Sequence, residues 1–180
     1  LYNDIVLDNN SRNVTYSVSE HNRYDGTIDG RGHKLENIKV NDVWWGIVNY
    51  KFAGVIKNIA LVNVYNAGGN GLIASVIDGG TLENVYISGY SSRESISSNI
   101  TSNGITVKNV VYNFDDGYNT AGSTQHGYDG EVGSEYITEE NVYIAYGNAN
   151  FFTDNEGASF GNFKVENGGL YFCGRLIYGN

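Results

Sequence analysis

A short pattern of hydrophobic and polar positions recurs along this chain: aliphatic, charged, Asn, aliphatic, any residue, aliphatic. It matches residues 35–40, 56–61 and 82–87, and a fourth copy at 107–112 ends in a tyrosine. With two looser copies further on, the pattern centres on Asn37, Asn58, Asn84, Asn109, Asn141 and Asn162. Recurrence at intervals of roughly 20 to 30 residues is typical of stacked, repetitive architectures.

Each copy is too short for a helix, and residues alternate in polarity on both sides of its asparagine. The simplest geometry is two short strands joined at a bend, because asparagine tolerates left-handed backbone angles and bonds neighbouring backbone groups. Stacked layers would place Asn58 between Asn37 and Asn84, with each side-chain amide bonded to the next. An unpaired buried amide costs about 1–3 kcal/mol, so we expect the ladder to run through all six asparagines.

The predicted fold is therefore all-β: a single-stranded, right-handed parallel β-helix of about six rungs, with residues 1–180 as one domain. Irregular loops are predicted near 91–103, which is rich in serine, and 115–134, which has almost no aliphatic residues. The alternative is a sandwich of ordinary hairpins with asparagine in surface turns. That alternative does not explain why the charged-Asn-aliphatic motif recurs at intervals that match one turn of a β-helix.

Composition and charge narrow the setting of this fold. The 180 residues include 24 glycines and 15 tyrosines, as expected of a β-rich chain with many turns. A formal net charge of −9 argues against nucleic acid or an anionic membrane as partner. No apolar run is long enough to span a bilayer, and the absence of methionine indicates a piece of a larger precursor. An extracellular place, on a cell or virion surface, is the expected location.

Residues for metal or thiol chemistry are few. The single cysteine, Cys173, excludes an internal disulfide and a multi-thiolate metal site, and its apolar neighbours predict a small core residue. The three histidines are scattered, so no metal site and no cofactor is predicted. Calcium is the one ion left open: Asp115, Asp116 and Asp129 lie near glycines, although the spacing of an EF-hand is missing.

Outward-facing aromatic side chains are the better candidates for function, because they can stack on sugar rings. The candidates are Trp44, Trp45, Tyr86 and Tyr143. A coil also ends in open strand edges, and we expect flanking domains or identical subunits to cover them. The predicted partners are those neighbours and surface glycans, without nucleic acid and without membrane insertion.

Several short motifs follow one another in a recognisable order: NDI at 3–5, GTIDGRGH at 26–33, IKN at 56–58, GLI at 71–73 and TLENVYISG at 81–89. This order resembles the GLUG-type β-helical repeat region of bacterial cell-surface proteins and some phage proteins. The resemblance covers residues 1 to about 90, and Asn49 and Ala74 stand where that family has glycine. It implies an export-linked, non-catalytic β-helix, often one module of a long adhesin or fibre, without established site residues.

An enzyme is the rival interpretation, since TIDGRG at 27–32 also resembles the opening rung of pectate-lyase-type β-helices. Those lyases share an Arg-x-Pro-x-x-Arg element, and this chain has no proline. Of the motifs of galacturonase-like hydrolases only Asp115-Asp116 is present, and adjacent carboxylates on a strand point to opposite faces rather than across a cleft. We therefore predict no catalytic residues and no enzymatic activity.

The predicted function is that of a structural or adhesive module of an exported surface protein, with glycans or a host surface as its target. A phage fibre, decoration or receptor-binding domain is the second prediction. A polysaccharide lyase or hydrolase of the β-helix type is the third.

Overall fold

β-Strands dominate the protein, whose computed structural model describes residues 1–7, 23–40, 46–66, 71–91, 96–97, 99–115 and 134–180. Within these ranges the only α-helix is α1 (Phe151–Asp154), and one 3-10 turn covers Ser134–Tyr136. The prediction of an all-β chain is confirmed at this level. Among the described residues, no helix has the length and hydrophobicity needed to cross a membrane.

A parallel sheet carries the repeated asparagines, and we call it the first sheet. Its strands are β1 (Ile5–Val6), β3 (Thr27–Glu36), β4 (Lys39–Val40), β6 (Val55–Asn66), β8 (Thr81–Ser91), β10 (Ile105–Asp115) and β11 (Ile137–Ile144). Their order is β1-β3-β6-β8-β10-β11, and β4 pairs with the far end of β6. Successive copies of the sequence pattern therefore lie side by side.

The second sheet is also parallel and has the order β2 (Arg23–Tyr24), β5 (Asn49–Phe52), β7 (Ala74–Ile77), β9 (Asn99–Ile100). The chain visits the two sheets in turn, since each strand of the second sheet comes before a strand of the first. One hydrophobic core contains side chains of both sheets, among them Phe52 and Ile77 from the second and Leu82 and Val107 from the first, all 0% exposed. Burial of these apolar side chains is the main stabilising contribution.

The core of the first sheet is built from columns of paired residues. Ile56, Leu82 and Val107 pair directly on β6, β8 and β10, and each is at most 2% exposed. On β11 the same column continues with Glu139, which is exposed. The outermost strand thus places a carboxylate where the inner strands place aliphatic side chains.

The neighbouring outward column alternates in charge from strand to strand. It consists of Asp29, Lys57, Glu83, Lys108 and Glu140. Lys108 Nζ lies 2.9 Å from a carboxylate oxygen of Glu140, and Lys57 Nζ lies 3.9 Å from one of Asp29. Exposed pairs contribute only about 0–1 kcal/mol each. A slip of one residue would break every pair, so the column favours this register.

The C-terminal part is an antiparallel sheet of β12 (Ser159–Phe160), β13 (Phe163–Glu166), β14 (Gly169–Phe172) and β15 (Arg175–Gly179). Two-residue turns with positive φ join its last three strands, Asn167-Gly168 (52° and 72°) and Cys173-Gly174 (49° and 77°). The prediction that Asn162 marks a further rung of the coil is therefore wrong. The prediction of Cys173 as a core residue is also wrong, because Cys173 is an exposed turn residue.

This antiparallel sheet packs on the outer side of the first sheet. Phe163 and Phe172 join a second hydrophobic cluster with Ala60, Tyr86 and Val111, which point away from the main core. The two layers also meet at a glycine: a Cβ at Gly161 (φ 53°) would collide with the Asn84 Oδ1 atom. Only glycine allows so close an approach at this backbone angle.

The predicted loops fall partly outside the described residues. Residues 92–95, 98 and 116–133 lie outside them. Within the predicted loop near 91–103, however, Asn99–Ile100 is strand β9, which pairs with β7. That part of the loop therefore belongs to the second sheet.

Candidate functional site

Four of the six predicted asparagines form a hydrogen-bonded ladder. Asn58, Asn84, Asn109 and Asn141 occupy one bend of successive strands, with φ of 52–54°. Asn141 donates its side-chain N–H to Asn109 Oδ1 (3.0 Å), Asn109 to Asn84 Oδ1 (3.0 Å) and Asn84 to Asn58 Oδ1 (3.1 Å). The left-handed backbone, and a side-chain amide that can both donate and accept along the ladder, explain why asparagine recurs at this position.

Asn37 lies elsewhere, and its place in this ladder was predicted wrongly. On β3, residues 30–32 occupy the bend, and the Asp29 carboxylate accepts the side-chain N–H of Asn58 at 3.1 Å. Asn37 (φ 61°) stands at a second bend, where it accepts a hydrogen bond from Asn63 (2.8 Å) and donates one to the Leu7 carbonyl (3.1 Å). The strands therefore carry a second, shorter ladder.

Asn162 touches the first ladder from outside. It lies in the turn between β12 and β13, and its Nδ2 donates to Asn58 Oδ1 at 3.0 Å. Asn58 thus accepts hydrogen bonds from both Asn84 and Asn162. Asn162 therefore connects the antiparallel sheet to the first sheet rather than adding a layer to the ladder.

Of the four predicted aromatic ligand-binding residues, only Tyr86 and Tyr143 are described, and these two do not form an open face. Trp44 and Trp45 lie outside the described residues. Tyr86 and Tyr143 do point away from the main core, but they pack in the cluster under the antiparallel sheet. Tyr86 is only 2% exposed, and the Tyr143 ring stacks on Phe160 at 4.4 Å between centroids. A sugar has no access to Tyr86 in this arrangement.

A second pair of stacked aromatic rings joins the exposed Tyr65 to the half-buried Tyr90. Tyr65 and Tyr90 pair on β6 and β8 and stack with centroids 5.4 Å apart, and Lys39 Nζ lies 5.8 Å from the Tyr65 centroid. Tyr65 is 44% exposed. Because each of these two rings is stacked on its neighbour, their faces are partly used within the protein.

A polar pocket of about 180 Å³ lies where the chain passes from the second sheet into the first. We call it the Tyr136 pocket, and its lining consists of Gly80, Ser102, Asn103, Gly104, Ile105, Thr106, Tyr136 and Thr138. Its two glycines have positive φ, 106° at Gly80 and 65° at Gly104. A Cβ at Gly80 would collide with Gly54 and one at Gly104 with the Tyr136 carbonyl. The absence of side chains at these turns leaves the notch open.

The pocket residues were missed because they come from separate turns, although one signal was present. A threonine stands three residues before Asn84, Asn109 and Asn141. These threonines, Thr81, Thr106 and Thr138, pair directly and form an outward column. Tyr136 is 42% exposed beside this column and is the aromatic member of the pocket.

A hydrogen-bonded carboxylate fixes one wall of the pocket. Asp78 is 7% exposed and accepts hydrogen bonds from Thr101 Oγ1 (2.7 Å) and Asn103 Nδ2 (3.0 Å) on one oxygen. Arg23 and Lys51 each place a nitrogen 3.1 Å from its other oxygen. The Thr101 hydrogen bond, with the Lys51 and Asn103 side chains, lowers the pKa of Asp78 to about 2. Asp78 is therefore an ionised structural group that orients Asn103.

A second cluster joins the two ends of the chain. Arg175 donates to both carboxylate oxygens of Asp4 (2.7 and 3.3 Å) and to the Gly32 carbonyl. His33 Nδ1 lies 3.1 Å from Asp4 Oδ1, so the His33 ring contacts the same carboxylate. The Arg175 hydrogen bond holds the pKa of Asp4 well below its usual range.

This second cluster is poorly suited to nucleophilic catalysis. Cys173 lies close to Gly32, but burial raises the pKa of its thiol, whereas a reactive cysteine needs a lowered pKa. The Asp4 carboxylate is engaged by Arg175. We interpret this cluster as a clasp between the N-terminal and C-terminal segments.

For a metal ion, the described part of the chain contains no group of three or more His, Cys, Asp or Glu side chains that could hold one. The aspartates considered for calcium cannot be placed as a set, because Asp116 and Asp129 lie outside the described residues. Only the strand position of Asp115, at the end of β10, is described.

Comparison of the chain with protein-family models, with curated proteins and with solved structures finds no match.

Proposed function

We propose that the chain is a non-catalytic structural or adhesive module of an exported surface protein, built on a right-handed parallel β-helix of the GLUG type. The amide ladder through Asn58, Asn84, Asn109 and Asn141 is the observation that carries the proposal. A ladder of this kind requires equivalent bends stacked directly on one another. The alternation of the chain between two parallel sheets supports the same coil.

A rigid stacked scaffold suits presentation of a surface better than chemistry. Repeat architectures of this kind form extended faces, on which a partner meets residues from several layers. Here one outward face carries the threonine column beside the column of alternating charges. Such a face provides many weak polar contacts to a large partner and favours adhesion.

The location is tested with antibodies raised against the chain. On intact, unpermeabilised cells of the source organism we expect labelling without lysis. Labelling confined to purified virions would support the phage fibre or decoration domain instead. Labelling that appears only after lysis would contradict export.

Adhesion and catalysis are tested on the purified chain. Beads coated with it are expected to attach to glycan-bearing cell surfaces, and the soluble chain should compete with them. Incubation with a panel of polysaccharides should release neither reducing ends nor unsaturated products. Release that disappears in the Asp115→Asn and Asp116→Asn variants would make the protein a glycan-active enzyme.

A further inference from the structure

We propose that the Tyr136 pocket binds one neutral pyranose unit of a surface glycan. The inference names a ligand class for the proposed adhesive function and rests on that function. The nearest alternative surface, the stacked pair Tyr65 and Tyr90, is less suitable because each ring already covers part of the other.

The size of the pocket selects a small ligand. Sites for drug-sized molecules usually occupy about 300–1,000 Å³, whereas this pocket holds about 180 Å³. That volume suits a single sugar ring and is too small for a folded peptide segment. The rest of a glycan chain would extend along the threonine column, which lies before the asparagine bend and apart from the strand segments that the antiparallel sheet covers.

The polar groups of the lining match the hydroxyl groups of a sugar. Ser102, Thr106 and Thr138 each bring a hydroxyl that both donates and accepts hydrogen bonds, and Asn103 brings an amide. Asp78 accepts the amide N–H of Asn103, which fixes the side chain before a ligand arrives. A polar wall held in place in this way loses little conformational freedom on binding.

Tyr136 provides the apolar part of the recognition. Tyr136 is 42% exposed and lines the pocket together with Ser102, Thr106 and Thr138. A pyranose has one face of C–H groups and a rim of hydroxyls, so an aromatic ring next to polar side chains complements both. At the stacked pair Tyr65 and Tyr90, by contrast, a cation approaches the aromatic surface, with Lys39 Nζ 5.8 Å from the Tyr65 centroid.

The charges near the pocket favour a neutral sugar. None of the eight lining residues is ionisable except the Tyr136 phenol. The carboxylate behind Asn103 belongs to Asp78, and both Lys51 and Arg23 already lie against it. A uronate or an amino sugar would therefore find no unpaired opposite charge in the lining.

The backbone makes the pocket a preformed feature. Thr106 N donates to the Gly80 carbonyl at 3.0 Å, and Gly104 N donates to the Thr101 carbonyl at 2.8 Å. A Cβ at either glycine would collide with a neighbouring backbone carbonyl, so both turns pack closely against adjacent segments. A ligand therefore meets a rigid notch.

The test is a nuclear magnetic resonance titration of the ¹⁵N-labelled chain. The probes are the methyl pyranosides of glucose, galactose, mannose and N-acetylglucosamine, with methyl glucuronide as the charged counterpart. We expect at least one neutral probe to shift the amide signals of Gly80, Asn103, Gly104 and Thr106 in a saturable way. The glucuronide is expected to bind no more tightly.

Two exposed tyrosines allow a matched comparison. Tyr136→Ala should weaken binding of that probe about tenfold, as expected for loss of one aromatic contact. Tyr65→Ala, at a position of nearly equal exposure, should leave binding unchanged. Thr106→Val and Thr138→Val retain β-forming side chains and should weaken binding severalfold. Spectra that are otherwise unchanged would show that these variants fold.

Three results would overturn the proposal: no saturable shift with any neutral pyranoside, equal binding by the two tyrosine variants, or a clear preference for the glucuronide. The bead assay separates these outcomes from the proposed function. If beads coated with Tyr136→Ala still adhere, the pocket is not needed for adhesion, and the proposed adhesive function stands. If the chain binds a sugar but shows neither adhesion nor surface labelling, the pocket is a sugar site and the proposed surface function is wrong.

Discussion

Asn109 is the residue whose replacement most directly tests the ladder. Its side chain is 5% exposed, donates to Asn84 Oδ1 and accepts from Asn141 Nδ2, both at 3.0 Å. Its backbone has a φ of 52°, which an alanine adopts only with strain. Asn109→Ala therefore removes two hydrogen bonds and forces alanine into the left-handed region.

The magnitude follows from these two effects. Two hydrogen bonds at about 0.5–1.5 kcal/mol each contribute about 1–3 kcal/mol. The left-handed backbone adds about 1 kcal/mol for alanine. We expect Asn109→Ala to lower the free energy of unfolding by about 2–4 kcal/mol, a large share of a typical domain's 5–15 kcal/mol. For a domain of this size the melting temperature should fall by roughly 5–15 °C.

The assay is urea unfolding followed by far-ultraviolet circular dichroism, with Asn167→Ala as the matched control. Asn167 has the same φ of 52° but is exposed in the hairpin turn between β13 and β14. Its replacement carries the backbone cost alone, about 1 kcal/mol. Equal losses in the two variants would refute the idea that the amide ladder stabilises the fold.

Three further predictions address the pH response, the packing of the layers and the sheet edge. The pKa of Asp78 is lowered to about 2, below the unfolded value of about 3.9. The stabilisation that the ionised Asp78 provides is therefore present above about pH 4 and is lost as the pH falls toward 2. Between pH 6 and 2 the urea midpoint should decline less steeply with falling pH in Asp78→Asn than in the unmodified protein, and identical slopes would contradict this. Gly161→Ala should cost about 1–3 kcal/mol more than Gly157→Ala in the same assay, because both glycines have positive φ but only Gly161 lies against the ladder; equal costs would show that the contact is unimportant. Glu139→Val should promote self-association, measured by sedimentation velocity, because it completes an aliphatic column on the outermost strand; Glu140→Val, in the outward column, should have a weaker effect, and two monomeric variants would show that Glu139 does not protect the edge.

The first sheet could be read from the sequence because local pattern and long-range pairing agree there. The aliphatic-charged-Asn pattern placed Asn58, Asn84 and Asn109 in equivalent positions, and their strands do pair in that register. The bend asparagines meet two requirements at once, a left-handed backbone and a side-chain amide that both donates and accepts a hydrogen bond. Few other residues satisfy both, so the pattern was specific.

The errors occur where another element satisfies the same requirements. At the first bend, residues 30–32 with Asp29 take the place of an asparagine, and a search for Asn alone therefore moved the ladder to Asn37. In the C-terminal part, Asn167-Gly168 between alternating residues is a strong hairpin signal. The Asn162 pattern alone predicts a further rung, whereas the hairpin signal identifies an antiparallel sheet.

The candidate site was harder to predict, since it depends on contacts between distant segments. Tyr86 alternates outward, as the period-two pattern requires, but only the packed antiparallel sheet shows that it is covered. The Tyr136 pocket combines turns that are far apart in the chain, around Gly80, Gly104 and Thr138. No periodicity within one segment indicates that these turns form a concave surface.

The clasp between Asp4 and Arg175 bears on the order in which the chain folds. These residues are 171 positions apart, and Asn162 reaches Asn58 across 104 positions. Closing loops of such length costs entropy that is recovered only when the contacts form, which slows folding. Neighbouring strands of the first sheet can pair as soon as each emerges, whereas the antiparallel sheet must wait for the last residues. We therefore expect that sheet to dock last and to be the step at which the outward side of Tyr86 and Val111 is covered from water and from other chains.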